Sequence, residues 1–141
     1  MLFSTGTVRS ANPILAEQRR GIAKNAGALR EMKAMAYEMA AALTRAQLDE
    51  FAAMLHAGWL LKKTLAGKIS NNEIDQAYTA ACHAGARGGK IAGAGGGGHL
   101  ILYCPRERQE AVRAALSPMP HIPFQLEAGG SRVIVNYNGK R

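Results

Sequence analysis

The sequence lacks the features that mark membrane-spanning, disulfide-stabilised and metal-binding proteins. Its two cysteines, Cys82 and Cys104, have no CxxC spacing, and neither they nor the four histidines follow a metal-ligand pattern. No apolar run reaches the length of about 18 residues that a membrane-spanning helix requires. Residues 1–10 do not show the basic start and apolar stretch of a secretory signal. We therefore expect a cytoplasmic protein with free thiols and no metal site.

Aromatic residues are scarce, at 6%, although the net charge is strongly positive, at +8. A basic protein can bind nucleic acid, anionic lipid or phosphorylated metabolites. In residues 17–38, however, basic side chains are interleaved with acidic ones, and aromatic residues do not alternate with them as a base-stacking surface would require. The pattern predicts solvated helix faces, and we expect neither nucleic acid nor a membrane as a partner.

A long helix is predicted near the start of the chain. Asn12 as the N-cap and Pro13 at the first helical position mark its beginning. Apolar residues at helical spacing continue to Leu43, so we predict one helix over this range. Gly21 and Gly27 are expected to weaken this helix without ending it.

Two further helices are predicted from capping boxes, in which a hydroxyl residue precedes Glu or Gln by three positions. Thr44 with Gln47 marks the start of one, and Ser70 with Glu73 marks the start of the other. Gly85 is a suitable residue to end the latter helix.

The remaining elements are short strands and one short helix. Strands are predicted at 1–5, 100–104, 124–127 and 132–136, and a helix at 106–116. Helices and strands mixed in this order predict an α+β domain, a small antiparallel sheet with helices packed on it.

The distinctive feature of the chain is a glycine tract. Glycine allows positive φ and close approach of a ligand to the backbone, and successive amide groups can then bind an anion such as phosphate. A glycine-rich surface loop or a tight strand junction is the structural alternative. The window holds eight of the chain's 16 glycines: Gly85, Gly88, Gly89, Gly93, Gly95, Gly96, Gly97 and Gly98.

Three common phosphate-binding motifs do not account for this tract. A Walker A loop requires Ser or Thr after its lysine, but Ile91 follows Lys90. Gly93, Gly95 and Gly98 match the GxGxxG pattern, yet a strand rather than a helix is predicted to follow. The protein-kinase glycine loop is excluded because no HRD or DFG sequence follows.

The tract and the segments before it resemble a known family. The stretch Lys90–Gly98 with the strand His99–Leu102 is similar to the third characteristic motif of the GHMP kinases, which include galactokinase, homoserine kinase, mevalonate kinase and phosphomevalonate kinase. His99 departs from this motif, because the family often has an apolar or small residue there. Other segments resemble the branch of D-glycero-D-manno-heptose 7-phosphate kinases; they are 4–6, 9–11, 59–63, 68–71, 74–75 and 85–90.

The resemblance implies that residues 1–141 form the ferredoxin-like C-terminal domain of a sugar-phosphate kinase. The family's nucleotide loop, its catalytic aspartate and its magnesium-binding acid belong to an N-terminal half, and this sequence matches none of them. The complete enzyme would use ATP and Mg²⁺, whereas we assign neither these cofactors nor a catalytic residue to this chain. The expected partners are a sugar phosphate and either an N-terminal kinase half or further copies of the chain.

The resemblance also supplies the candidate residues for binding substrate or phosphate. Their roles would be to supply backbone donors and one cation, and they are Gly93, Gly95, Gly96, Gly97, Gly98 and Lys90. Lys62 and Lys63 could face a sugar phosphate, but exposed helix charges are the simpler interpretation. Asp75 is expected to stabilise its helix as a negative charge in the first turn. We expect Gly95→Val to reduce turnover far more than folding stability.

A different class of function also fits the sequence. The chain could be a non-catalytic small-molecule-binding or regulatory module that retains the fold. Because the motifs of the catalytic half are not matched, the sequence leaves the activity of this chain open.

Overall fold

The sheet at the centre of the fold is antiparallel and has the strand order β1–β3–β2. The computed structural model of the chain describes residues 1–132. In these residues the elements are β1 (Leu2–Ser4), α1 (Asn12–Arg20), α2 (Ala26–Thr44), α3 (Leu48–Thr64), α4 (Asn72–His83), β2 (Gly88–Ile91), β3 (His99–Tyr103), a 3₁₀ turn (Arg106–Arg108) and α5 (Gln109–Ala115).

One face of the sheet forms the core. Leu100 lies opposite both Phe3 and Ile91 in the strand register, so strand alternation places the three side chains on the same face. All three are fully buried and share one apolar cluster with Ile74 of α4 and Val112 of α5. Burial of each large side chain contributes about 1.5–3 kcal/mol. The predicted α+β class, a small antiparallel sheet with packed helices, is confirmed.

Helix α3 lies against the edge strand β2 rather than over the core face. A Cβ atom placed on Gly88 would lie 2.1 Å from the carbonyl oxygen of Ala52 and 3.2 Å from the amide nitrogen of His56. The helix backbone therefore touches the strand backbone directly, and only glycine fits there.

The prediction of one helix from residue 12 to Leu43 is wrong, because residues 21–25 form a turn that separates α1 from α2. The Asn25 side-chain amide donates to the Leu65 carbonyl oxygen at 3.1 Å, a contact that ties the turn to the end of α3. Gly21 allows this arrangement, since a Cβ there would lie 2.9 Å from Asn25 Nδ2. The N-cap residue of α1 is Ala11 rather than Asn12, with proline in the first turn as predicted.

The capping box predicted before α3 is not formed. Thr44 instead donates its hydroxyl back to the Ala40 carbonyl oxygen at 2.9 Å. Gln47 is the N-cap residue, but its side chain makes no cap hydrogen bond. Ala46, at a φ of +56°, makes the tight connection between the two helices, so backbone geometry rather than side-chain capping sets the start of α3.

The second predicted capping box is not formed either, because the N-cap lies one residue later than Ser70. Asn71 is the N-cap of α4, and its Oδ1 accepts a hydrogen bond from the Ile74 amide at 2.9 Å. Ser70 donates its hydroxyl to Asp75 Oδ1 at 2.8 Å. Gly85 follows the end of α4 at a φ of +117°, as predicted for a helix terminator.

The strand predicted at residues 124–127 is not formed. The segment just before it occupies the free edge of β1: the Ser4 amide donates to the Pro120 carbonyl oxygen at 2.9 Å, and the Ile122 amide donates to the Leu2 carbonyl oxygen at 2.8 Å. The strand predicted at 132–136 lies, apart from Arg132, outside the described residues.

No membrane-spanning candidate occurs among the helices of residues 1–132, because none combines the necessary length with the necessary apolar character.

Tyr78 gives the fold a testable dependence on alkaline pH. Its hydroxyl lies 2.7 Å from His56 Nδ1, and burial, reinforced by the neighbouring Cys82, raises the pKa of Tyr78 above its usual value. The neutral form is therefore favoured in the folded chain. The resulting stabilisation of the folded chain is complete below the pKa of about 10 that tyrosine has in the unfolded state. As pH rises above this value, the free energy of unfolding falls by at most about 1.4 kcal/mol per pH unit.

We expect Tyr78→Phe to flatten the fall in unfolding free energy above about pH 10. Urea denaturation at several alkaline pH values would measure this slope. Tyr37→Phe is the matched control, because Tyr37 is 69% exposed on α2 and should leave the slope unchanged. An identical slope in the wild type and Tyr78→Phe would show that Tyr78 does not contribute.

Candidate functional site

The glycine loop, residues 92–98, connects β2 to β3 and has a backbone path that requires glycine. Gly93, Gly95, Gly96 and Gly98 have φ values of +79°, +108°, +77° and +91°. Residues with a side chain rarely adopt these conformations, and each such placement costs about 1–3 kcal/mol. The glycine content of the tract is thus a requirement of the loop's shape.

Backbone hydrogen bonds hold the glycine loop on two sides. The Gly96 amide donates to the Ile69 carbonyl oxygen at 2.7 Å, which fixes the loop to the α3–α4 connection. The Gly98 amide donates to the Thr7 carbonyl oxygen at 2.9 Å, and the Thr5 amide donates to the Gly98 carbonyl oxygen at 2.9 Å. The loop is therefore fixed between the end of β1 and the start of α4.

These contacts determine which loop amides can serve a ligand. The amides of Gly96 and Gly98 are already used within the protein. Those of Gly93, Ala94 and Gly95 donate to no other residue in the part of the chain that the structure describes, and they lie at exposed or half-buried positions. Unpaired, accessible amides on a fixed loop suit an anionic ligand. Ala94 was not among the residues predicted to bind phosphate, although it lies within the predicted loop.

The loop glycines also differ in the space around them. A Cβ on Gly95 would lie 2.6 Å from the Ile69 carbonyl oxygen, and one on Gly97 would lie 2.6 Å from the Thr7 carbonyl oxygen. A Cβ on Gly93 or Gly98 would meet nothing within 4 Å. Gly95 and Gly97 thus have a packing role, whereas Gly93 borders open space at the mouth of the loop.

Lys62, in the last turn of α3, reaches the mouth of this loop. Its ammonium group donates a hydrogen bond to the Gly93 carbonyl oxygen. Partial burial lowers the pKa of Lys62, and the nearby Lys90 lowers it further. Lys62 is half-buried, so the interpretation as an exposed helix charge is wrong for this residue. It lies three residues after the buried Trp59, on the adjoining side of the helix, and this spacing was the available sequence signal.

The neighbouring charges have separate roles. Lys63 donates to Asp75 Oδ1 at 3.0 Å. Asp75 lies in the first turn of α4, as predicted, and also accepts from the Ser70 hydroxyl. Lys90 is exposed at β2, three residues before the Gly93 carbonyl oxygen that Lys62 reaches. The structure therefore brings together the loop, Lys90 and Lys62, and holds Lys63 away from them.

A cavity of about 370 Å³ lies beside the loop's anchor, between α4, α5 and the sheet. Its lining is mostly apolar and includes Ile74 and Leu116, while Thr5 and Thr7 contribute hydroxyl groups on the side of the loop. Among residues 1–132, no three His, Cys, Asp or Glu side chains are grouped as a metal would require.

Comparison with known proteins identifies the family. Residues 39–120 match the family described as "GHMP kinases C terminal". The chain belongs to this family. The match includes α3 with Lys62, helix α4 and the whole glycine loop, so the residues that form the site lie inside the family's own domain.

Individual relatives agree with this membership of the GHMP kinases. The chain is 31% identical over 117 residues to D-glycero-alpha-D-manno-heptose 7-phosphate kinase of Campylobacter jejuni. That alignment covers 81% of this chain and 34% of the relative, so the chain spans about a third of the length of the curated relative.

Two solved structures share the fold. One is mevalonate kinase of L. major in complex with R-mevalonate, with a TM-score of 0.71, 18% identity, and coverage of 82% of this chain and 36% of that one. The other is a protein from Listeria innocua, with a TM-score of 0.74, 18% identity, and coverage of 88% and 38%. These two structures show the fold, while the family match and the Campylobacter jejuni relative confirm the predicted family resemblance.

Proposed function

We propose that this chain provides the C-terminal part of an ATP-dependent sugar-phosphate kinase whose substrate is a heptose 7-phosphate. The observation that carries the proposal is the fixed glycine loop, in which the amides of Gly93, Ala94 and Gly95 have no acceptor within residues 1–132 and lie beside the ammonium of Lys62. The similarity to the Campylobacter jejuni heptose 7-phosphate kinase supports the choice of substrate.

The arrangement suits phosphoryl transfer, which depends mainly on positioning and on stabilising charge. The free amides would donate to phosphate oxygens, and Lys62 would place a positive charge at the loop mouth. Because the bonds from Gly96 to Ile69 and from Gly98 to Thr7 fix the loop in advance, the donors need no rearrangement when a phosphorylated substrate binds.

The cofactors ATP and Mg²⁺ stay part of the proposal for the complete enzyme. ATP supplies the transferred phosphoryl group when bound. Residues 1–132 contain no cluster of three potential metal ligands, so we assign Mg²⁺ no ligand in this part of the chain. A catalytic base is likewise assigned to the N-terminal half.

The test is reconstitution of phosphotransfer. The isolated chain should not phosphorylate heptose 7-phosphate with Mg-ATP, and addition of a matching N-terminal half as a second chain should produce turnover. Lys33→Met, a substitution at an exposed position of α2, should leave turnover of the reconstituted pair unchanged. Turnover by the isolated chain, or a stable complex of the two halves without turnover, would contradict the proposal.

A non-catalytic binding module is the second candidate, and the apolar cavity beside α4 and α5 favours it. Its volume of about 370 Å³ lies in the range of small-molecule sites, about 300–1,000 Å³. A ligand bound in this cavity, together with inactivity of the reconstituted pair, would support this function instead.

The proposed partner is the N-terminal half, with self-association as the alternative. Large apolar side chains stay exposed on α1, α2, α3 and the turn between α1 and α2, where a partner could cover them: Leu15, Ile22, Leu29, Leu43 and Leu60. Cytoplasmic location belongs to the same proposal.

A further inference from the structure

Lys62 and Lys90 are placed close together by the way β2 meets α3. Gly88 and Lys90 are two residues apart on β2 and so project from the same side of the strand. The space at Gly88 is filled by the α3 backbone at Ala52 and His56. Lys90 lies two residues further along β2 and three residues before Gly93, whose carbonyl oxygen accepts the hydrogen bond from Lys62 in the last turn of α3.

Neither of these lysines has a carboxylate partner among the described residues. The ion pairs there are Lys63 with Asp75, Arg87 with Asp49, and Arg113 with Glu110. Lys63, adjacent to Lys62 at the same end of α3, does have an acidic partner, and Lys62 differs from it in this respect.

A purely structural role for Lys62 does not explain this arrangement. Its hydrogen bond to the Gly93 carbonyl oxygen uses one of the three N–H donors of the ammonium, and no other described residue accepts from the remaining two. A partly buried ammonium beside a second cation is unfavourable unless an anion compensates it. A single uncharged donor would hold the loop at lower cost.

We propose that Lys62 and Lys90 form a two-cation site at the mouth of the glycine loop that binds the phosphate monoester already present on the substrate. A phosphate monoester carries a charge of about −1.5 to −2 at neutral pH, which two ammonium groups match. The hydrogen bond from Lys62 to the Gly93 carbonyl oxygen fixes one cation against the loop. The Ala94 amide, which has no acceptor among the described residues, lies one residue further along. The inference rests on the proposed function, because it distinguishes the phosphate that the substrate already carries from the phosphoryl group that is transferred.

The test adds inorganic phosphate, the probe, to the isolated chain and monitors the backbone amides by NMR. Phosphate should shift the amide signals of Gly93, Ala94 and Gly95, and chloride at equal concentration should not. Lys62→Met and Lys90→Met should each weaken phosphate binding by about tenfold. Lys62→Arg should retain it, and Lys33→Met, on the exposed side of α2, is the matched control.

Comparison of heptose 7-phosphate with ATP shows which ligand supplies the phosphate that the site binds. Heptose 7-phosphate should bind more tightly than inorganic phosphate, and its affinity should depend on both lysines. Dependence on these lysines for ATP but not for heptose 7-phosphate would overturn the assignment. Unchanged phosphate affinity in Lys90→Met would also overturn it; this exposed position avoids the risk that Lys62→Met unfolds the loop. Phosphate binding by the isolated chain does not require turnover by the reconstituted pair, so this inference and the kinase proposal can fail separately.

Discussion

Gly88→Ala is expected to destabilise the chain by about 3 kcal/mol or more, since it inserts a methyl group where two backbones touch. The new Cβ would lie 2.1 Å from the Ala52 carbonyl oxygen and 3.0 Å from the Ala52 carbonyl carbon. These are backbone atoms of α3 and cannot rotate away as a side chain could. Relief would require α3 to move off β2, which would expose the packed surface between them.

Urea denaturation would measure this loss, with Gly27→Ala as the matched control. Gly27 lies in α2, and a Cβ there would meet nothing within 4 Å. The control should stabilise the chain by about 0.5–1 kcal/mol, because alanine is the better helix former. If Gly88→Ala unfolds at the same urea concentration as the wild type, α3 does not approach β2 this closely.

Local signals in the sequence predicted the elements that depend on local interactions. Gly85 ends α4 because its φ of +117° suits glycine, and the apolar run before Pro105 forms β3 as expected. Of the predicted glycine tract, residues 92–98 form a loop, whereas Gly88 and Gly89 belong to strand β2. Each of these features follows from the conformational preference of a few neighbouring residues.

The elements that were missed depend on contacts between distant parts of the chain. Strand β2 begins with Gly88 and Gly89, which have little strand preference. It forms because β3 pairs with it on one side and the α3 backbone packs against it on the other. The break between α1 and α2 likewise depends on the bond from Asn25 to Leu65, 40 residues away.

The same explanation applies to the candidate site. The sequence predicted the loop but not which amides would be free, because the acceptors of Gly96 and Gly98 lie on the α3–α4 connection and after β1. Lys62 reaches Gly93 across 31 residues. Helix periodicity alone cannot reveal which of two adjacent lysines faces the loop and which faces Asp75.

The loop geometry changes the result expected for Gly95→Val. The sequence led us to expect a loss of turnover with little loss of stability, but a Cβ at Gly95 would lie 2.6 Å from the Ile69 carbonyl oxygen and 2.9 Å from the Ile69 Cα. The residue also has a φ of +108°, which valine rarely adopts. We now expect Gly95→Val to lower folding stability and turnover together, the former by about 3 kcal/mol.

Gly93→Ala is the variant that separates the two effects. The methyl group would meet nothing within 4 Å, so strain at a φ of +79° is the main cost, about 1–2 kcal/mol. It would, however, occupy the loop mouth beside the Lys62 ammonium, where we propose that phosphate binds. Displacing a bound phosphate slightly can reduce turnover by on the order of 10²-fold. Denaturation of the isolated chain and turnover of the reconstituted enzyme measure the two quantities. Full turnover by Gly93→Ala would show that phosphate does not bind beside Gly93 at the loop mouth.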